Sequence, residues 1–152
     1  SSKAIERSRG MKGKGYYLDF ITMQRYAQKL QTPTTPSIPH MYALDFQLSR
    51  ILQEGDARSR RHEEMAEMTR RWARRNGFEL FSEPGAESRT VTCIRNTRDI
   101  SVKGLNEALA GKARISDGYG CLKQKTFRIG HMGDMRKEEL SSLLHDIEVI
   151  LQ

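Results

Sequence analysis

Cysteine, tryptophan and long apolar runs are what this sequence has least of. Two cysteines in 152 residues, Cys93 and Cys121, are too few and too unpatterned for a disulfide scaffold. No Cys-x-x-Cys pair is present, which removes the usual zinc and dithiol redox motifs. No stretch approaches the roughly 18 uninterrupted apolar residues of a membrane helix. The hydrophobic share is 37%, and it is periodic, which argues against a disordered chain. This length accommodates one domain of ordinary size with a single core. A reducing, cytoplasmic setting without a membrane is the expectation. The first residues, Ser1-Ser2-Lys3-Ala4-Ile5-Glu6, lack a starting Met and a signal-peptide apolar region. They read as a helix already under way, so a piece of a larger protein is expected.

Charge of one sign dominates. The formal net charge is +7, from 26 Lys and Arg against 19 Asp and Glu. Residues 58–75 hold seven arginines, a stripe that could track a phosphate backbone. The same segment carries Glu63, Glu64 and Glu67 at helical spacing, which offers Arg58, Arg60 and Arg61 partners three and four residues away. Met65, Met68 and Trp72 share one helical face, so the arginines are expected on the solvated faces. A basic nucleic-acid-binding or interaction domain without catalytic activity is the alternative, resting on charge alone. No helix-turn-helix, zinc finger or RNA-binding aromatic signature accompanies it.

The pattern along the chain predicts an α+β fold: a small antiparallel or mixed sheet with helices packed on one face. Tyr16-Tyr17-Leu18 reads as a short strand, and Asp19 as the cap of a helix over 20–30. Residues 31–39 contain three of the four prolines and form an extended loop. A long helix to Glu54 follows, with Pro39 in its first turn, Ser37 as its cap and Met41, Leu44, Leu48, Ile51 and Leu52 buried. Gly55 ends it, and an Arg-rich helix runs on to Arg75. Strands are expected at 78–81, 90–94, 113–116 and 126–129, with a helix over 102–110 capped by Ser101. Asp134 is expected to cap a final helix with the stripe Leu140, Leu143, Leu144, Ile147, Ile150 and Leu151.

Two segments carry a resemblance. Thr126-Phe127-Arg128-Ile129-Gly130-His131-Met132-Gly133-Asp134, preceded by Gly118-Tyr119-Gly120, resembles the C-terminal signature of class V aminotransferases. Gly15-Tyr16-Tyr17-Leu18-Asp19-Phe20, Gln31-Thr32-Pro33-Thr34-Thr35-Pro36 and Tyr42-Ala43-Leu44 are similar to the segment entering that family's small domain. The branch indicated is that of alanine–glyoxylate, serine–pyruvate and phosphoserine aminotransferases. The resemblance implies the C-terminal domain of the aspartate-aminotransferase (type I) fold. It also implies pyridoxal phosphate as cofactor, an amino acid and a 2-oxo acid as substrates, and a homodimer. It divides the chain into residues 1–36, a helix, strand and loop from the large domain, and 37–152, the small domain.

Residue roles follow from the same resemblance. Arg128 corresponds to the arginine that grips the substrate α-carboxylate; a planar guanidinium meets a carboxylate through two parallel hydrogen bonds. Thr35 corresponds to a threonine donating to the cofactor phosphate of the neighbouring subunit, with Thr32 and Gln31 as weaker candidates for that site. The cofactor-linking lysine, the acid at the pyridine nitrogen and the group stacked on the ring belong to the family's large domain. No lysine here lies in the linking motif, so no catalytic residue is nominated, and the segment alone is expected to be inactive. His131 reads as a turn histidine bonded to nearby backbone. His40, His62 and His145 have no ligand spacing, so no metal site is expected. Cys121 has no neighbouring base and reads as no nucleophile.

Overall fold

The computed structural model describes all residues, Ser1–Gln152. The chain divides into two compact units, Ser1–Arg50 and Ile51–Gln152.

The first unit is helical. Helix α1 (Ser2–Arg9) starts at Ser1, whose hydroxyl accepts from the Ala4 N–H. Helix α2 (Phe20–Ala27) starts at Asp19, whose Oδ1 accepts from the Ile21 N–H at 3.1 Å and whose Oδ2 accepts from the Thr22 hydroxyl at 2.8 Å. Those bonds and the Lys14 ammonium at 3.1 Å hold the Asp19 carboxyl down to about 2. Tyr16-Tyr17-Leu18, expected as a strand, is a bend and turn instead. A strand needs a neighbour to pair with, and Gly15, at φ +68°, turns the chain out of the extended region. The loop 31–37 leads into α3 (Ile38–Glu54), with Pro39 in its first turn.

Helix α3 corrects a second expectation. None of its residues is buried; Met41 is 56% exposed and Leu52 80%. Periodicity establishes that these apolar side chains share a helix, and the covering surface has to come from elsewhere.

The second unit contains the core. Helix α4 (Asp56–Arg75) follows Gly55, which adopts a positive φ of 54°. Strands β1 (Glu79–Leu80) and β2 (Val91–Arg95) come next, then α5 (Val102–Ala108) capped by Ser101. Strand β3 (Ser116–Asp117), β4 (Thr126–Gly130) and α6 (Lys137–Ile150) complete the unit. The sheet order is β1-β2-β4-β3, every pair antiparallel.

The register sets the faces. Ile94 lies opposite Phe127 and Thr92 opposite Ile129, and all four are buried. Met65, Trp72 and Ala73 of α4, Val102 and Leu105 of α5, and Leu140, Leu144 and Ile147 of α6 join them in one cluster. The helices therefore cover one face of the sheet. Trp72 stacks on Phe78 at 6.0 Å, and Phe78 meets Phe127 edge-on at 5.2 Å. Each such aliphatic or aromatic side chain contributes about 1.5–3 kcal/mol on burial. Alternation along the strands puts Cys93 and Arg128, which lie opposite each other, on the other face.

Two local expectations are revised. Asp134 does not cap α6: the cap position is Arg136, whose N–H donates to the Glu139 carboxylate at 2.8 Å. Asp134 instead accepts from Arg58 Nη1 at 3.3 Å. Nor do Arg58 and Arg61 pair with the acidic triplet. Both meet Glu54, Arg58 Nη1 at 2.9 Å and Arg61 Nε at 2.8 Å, holding that carboxyl below the usual range. Of the triplet, Glu67 pairs with Arg70, Glu64 with Lys137 and Glu63 with Arg89.

Candidate functional site

The site is built on β4 and the turn before it. Residues 117–124 leave β3, pass through a short 3-10 turn at Gly120–Leu122 and return to β4. Asp117 closes the turn at both ends: its Oδ1 accepts from the Gly118 N–H at 2.7 Å and the Gln124 N–H at 2.8 Å. The Gly118 N–H also lies 2.9 Å from the Thr126 carbonyl oxygen. A Cβ on Gly118 would come within 2.6 Å of the Leu122 carbonyl carbon and of Thr126 Oγ1. Only glycine allows the two strands of the turn to approach this closely. Gly120 adopts a φ of +54°, a conformation that costs other residues energy.

Thr126 and Arg128 alternate on the side of β4 that faces this turn. Arg128 Nη2 donates to the Asp117 carbonyl oxygen at 3.1 Å. The Tyr119 ring lies across the guanidinium, its centroid 4.4 Å from Cζ. Arg128 Nε is buried and has no hydrogen-bond partner in the chain. No carboxylate pairs with this guanidinium, which meets one backbone oxygen and one aromatic face. Burying an unpartnered donor costs about 1–3 kcal/mol.

A cavity of about 980 Å³ opens here, lined by Val102 and Asn106 of α5, Arg114, Asp117, Tyr119, Lys123 and Arg128 among others. Lys103 and Glu107 on its rim pair with each other at 3.8 Å. Arg114, Lys123 and Arg128 lie around it without an acidic partner, so the wall carries excess positive charge. Asn106 braces the floor, its amide donating to the Ile115 carbonyl and its oxygen accepting from the Ile115 N–H.

The segment after β4 is tied to α4. Arg61 Nη1 donates to the Gly133 carbonyl oxygen at 3.2 Å, and His62 Nε2 lies 3.1 Å from the same oxygen. His131 is fully buried, and its Nε2 lies 2.8 Å from the Thr92 hydroxyl. Its ring therefore bonds a side chain across the sheet and not nearby backbone, and Nδ1 has no partner. Burial, above all, pushes the imidazole below its ordinary pKa; its backbone bonds oppose this, and the charge of Arg70 adds to it. His131 is not among the residues that line the cavity.

Gln31, Thr32 and Thr35 lie in the first unit, exposed, in the loop 31–37. Pro33 in that loop accepts from the Tyr16 hydroxyl at 3.3 Å, and the Gln31 N–H donates to the Tyr26 carbonyl at 3.0 Å. No side-chain bond engages the Thr32 or Thr35 hydroxyl, so both are available to an outside acceptor. No lysine of the chain is buried, and no cluster of His, Cys, Asp or Glu could hold a metal ion. Cys93 and Cys121 are both free thiols. No helix is long and apolar enough to cross a membrane. Tyr119 stands in the motif between two glycines without a role of its own in the sequence, and Asp117 lies outside that motif. The signal available was the pair of glycines flanking Tyr119, which marks a turn pinned on both sides of one aromatic.

No protein-family profile matches the chain. Among curated relatives, an uncharacterized aminotransferase of Methanocaldococcus jannaschii is 37% identical over 142 residues, covering 91% of this chain and 37% of that protein. The soluble hydrogenase 42 kDa subunit of Anabaena cylindrica is 30% identical over 159 residues, covering 99% of this chain and 40% of that protein. Serine–glyoxylate aminotransferases follow at lower identity. Among solved structures, the alanine–glyoxylate aminotransferase of Nostoc sp. superposes with a TM-score of 0.84 at 29% identity, covering all of this chain and 42% of that one. The chain spans about two fifths of the length of these proteins, and along nearly all of its own length it is similar to class V aminotransferases.

Proposed function

We propose that this chain is the C-terminal domain segment of an aminotransferase that moves an amino group between an amino acid and a 2-oxo acid. In this reading residues 37–152 form the small domain and residues 1–36 the segment that enters it. The longer protein is a cytoplasmic homodimer, and it acts on small molecules, without nucleic acid or membrane. Two free thiols accord with a reducing compartment.

The observation that carries the reading is Arg128. Its guanidinium is oriented by a backbone carbonyl and an aromatic ring, keeps a buried donor unpartnered, and lines a cationic cavity. A structural ion pair would show an acid at that position. Here the donors remain for an anion from outside, and the α-carboxylate shared by amino acids and 2-oxo acids has the matching two-oxygen fork.

The chain fits the family cofactor in part. Thr35, with Thr32 and Gln31 as secondary contributors, presents exposed polar groups suited to the phosphate of pyridoxal phosphate, in a proline-stiffened loop where little ordering entropy remains to be lost. When bound, that group supplies the electron withdrawal for the chemistry at the amino-bearing carbon. The residues of this segment bind and orient: Arg128 fixes the carboxylate, and the loop hydroxyls fix the phosphate. With no lysine in a linking setting, the 152-residue chain alone has no transaminase activity.

Arg128→Ala in the longer protein tests the assignment. Loss of a carboxylate partner from a desolvated charge pair costs about 2–5 kcal/mol. The specificity constant for amino acids should fall correspondingly, while that for amines lacking a carboxylate stays within severalfold. Equal losses for both substrate classes would defeat the carboxylate role.

The nucleic-acid alternative gains no support from the aminotransferase relatives, and three of the seven α4 arginines, Arg58, Arg61 and Arg70, are engaged by Glu54 or Glu67 and partly buried.

A further inference from the structure

Tyr119 stands out as an aromatic side chain with no packing reason to be where it is. It is 77% exposed, contributes nothing to the core cluster, and its hydroxyl makes no hydrogen bond. Its ring meets the Arg128 guanidinium. Yet the backbone that carries it is among the most constrained in the chain. Gly118 on one side cannot accept a Cβ, Gly120 on the other takes a positive φ, and Asp117 Oδ1 binds the N–H groups of Gly118 and Gln124. The ring is placed by the turn, and the turn places it on Arg128.

We propose that Tyr119 is a positioning residue that sets the plane in which Arg128 meets a carboxylate. This rests on the carboxylate reading of Arg128 given above. A guanidinium pivots about its side-chain bonds, and bidentate recognition requires the carboxylate to lie in the guanidinium plane. One hydrogen bond, Nη2 to the Asp117 carbonyl, fixes an edge and still allows rotation about that edge. A ring face 4.4 Å from Cζ removes the rotation, because guanidinium and ring attract when they overlap. Together the two contacts define a plane, leaving the remaining N–H groups for the ligand. The ligand class is a small carboxylate such as a 2-oxo acid. The role requires a flat ring and not a phenol, since the hydroxyl is unused.

The test uses the 152-residue chain, 15N-labelled, with glyoxylate as the probe, and follows the Arg128 Nε–H resonance. In the unaltered chain that resonance should be shifted by the ring current of Tyr119, and should move further on adding glyoxylate. Tyr119→Phe should preserve both effects. Tyr119→Leu should abolish the ring-current shift and weaken glyoxylate binding about two- to fivefold, as expected for loss of one exposed cation–π contact. Thermal midpoints of the three proteins should agree, since the side chain supports no core.

The outcomes separate the two ideas. If the glyoxylate response is present, vanishes in Arg128→Ala, and has the same affinity in Tyr119→Leu, the positioning role is wrong and the carboxylate reading stands. If no glyoxylate response depends on Arg128, the carboxylate reading fails and takes the positioning role with it.

Discussion

Replacing Gly118 by alanine adds a methyl group where the structure has no room for one. The new Cβ would collide first with the Leu122 carbonyl oxygen, and it would lie 2.6 Å from both the Leu122 carbonyl carbon and Thr126 Oγ1, these two already about 0.8 Å inside the 3.4 Å at which ordinary contact begins. The Thr126 hydroxyl can rotate away. The Leu122 carbonyl cannot, because it belongs to the backbone of the same turn. Relief therefore has to open the turn, at the expense of the two bonds made by the Gly118 N–H, to Asp117 Oδ1 and to the Thr126 carbonyl. Overpacking of this kind costs about 1–3 kcal/mol, and each hydrogen bond weakened adds about 0.5–1.5 kcal/mol. Opening the turn also lifts Tyr119 and the Asp117 carbonyl from Arg128. Urea unfolding of Gly118→Ala should thus show a lower midpoint with an unchanged slope. Glyoxylate titration of the same protein should show weaker binding in the residual folded state. A variant with unaltered unfolding midpoint and unaltered glyoxylate affinity would refute the claim that the close approach at Gly118 builds the site.

Two further outcomes concern the core and pH. Phe127→Ala removes a fully buried ring at the centre of the sheet and its edge-on contact with Phe78, and should cost about 3–5 kcal/mol in urea unfolding; a loss under 1 kcal/mol would contradict the packing described. Burial lowers the His131 pKa in the folded chain, so below its ordinary value of 6.5 the unfolded state binds the proton more readily. Stability should accordingly be full above pH 6.5 and fall as the pH drops below it toward the folded-state value. His131→Gln, followed by thermal melts from pH 7.5 to 5, should flatten that slope, and an unchanged slope would assign it to other groups.

What could be read from the residues was local and periodic. Helices α4 and α6 were legible because Met65 and Trp72, and Leu140, Leu144 and Ile147, recur at helical spacing and face a single core. Strands β2 and β4 were legible from β-branched alternation. The Arg128 strand was legible as a motif.

The misreadings share one cause: they needed partners that spacing does not name. Tyr16-Tyr17-Leu18 has strand propensity and no strand to pair with. The apolar residues of α3 form a pattern without specifying what covers them. Asp134 looked like a helix cap, but Arg58, 76 positions away in sequence, takes its carboxylate. Tyr119 was invisible as a functional side chain because its meaning lies in a contact across the turn with Arg128.

The most direct measurement is a crystal structure of the longer protein with a bound 2-oxo acid. The account predicts the carboxylate in the plane of the Arg128 guanidinium, both oxygens about 2.7–2.9 Å from its nitrogens, with Tyr119 still against the face of the guanidinium. A carboxylate held elsewhere, with Arg128 paired to an acidic side chain of the protein, would contradict it.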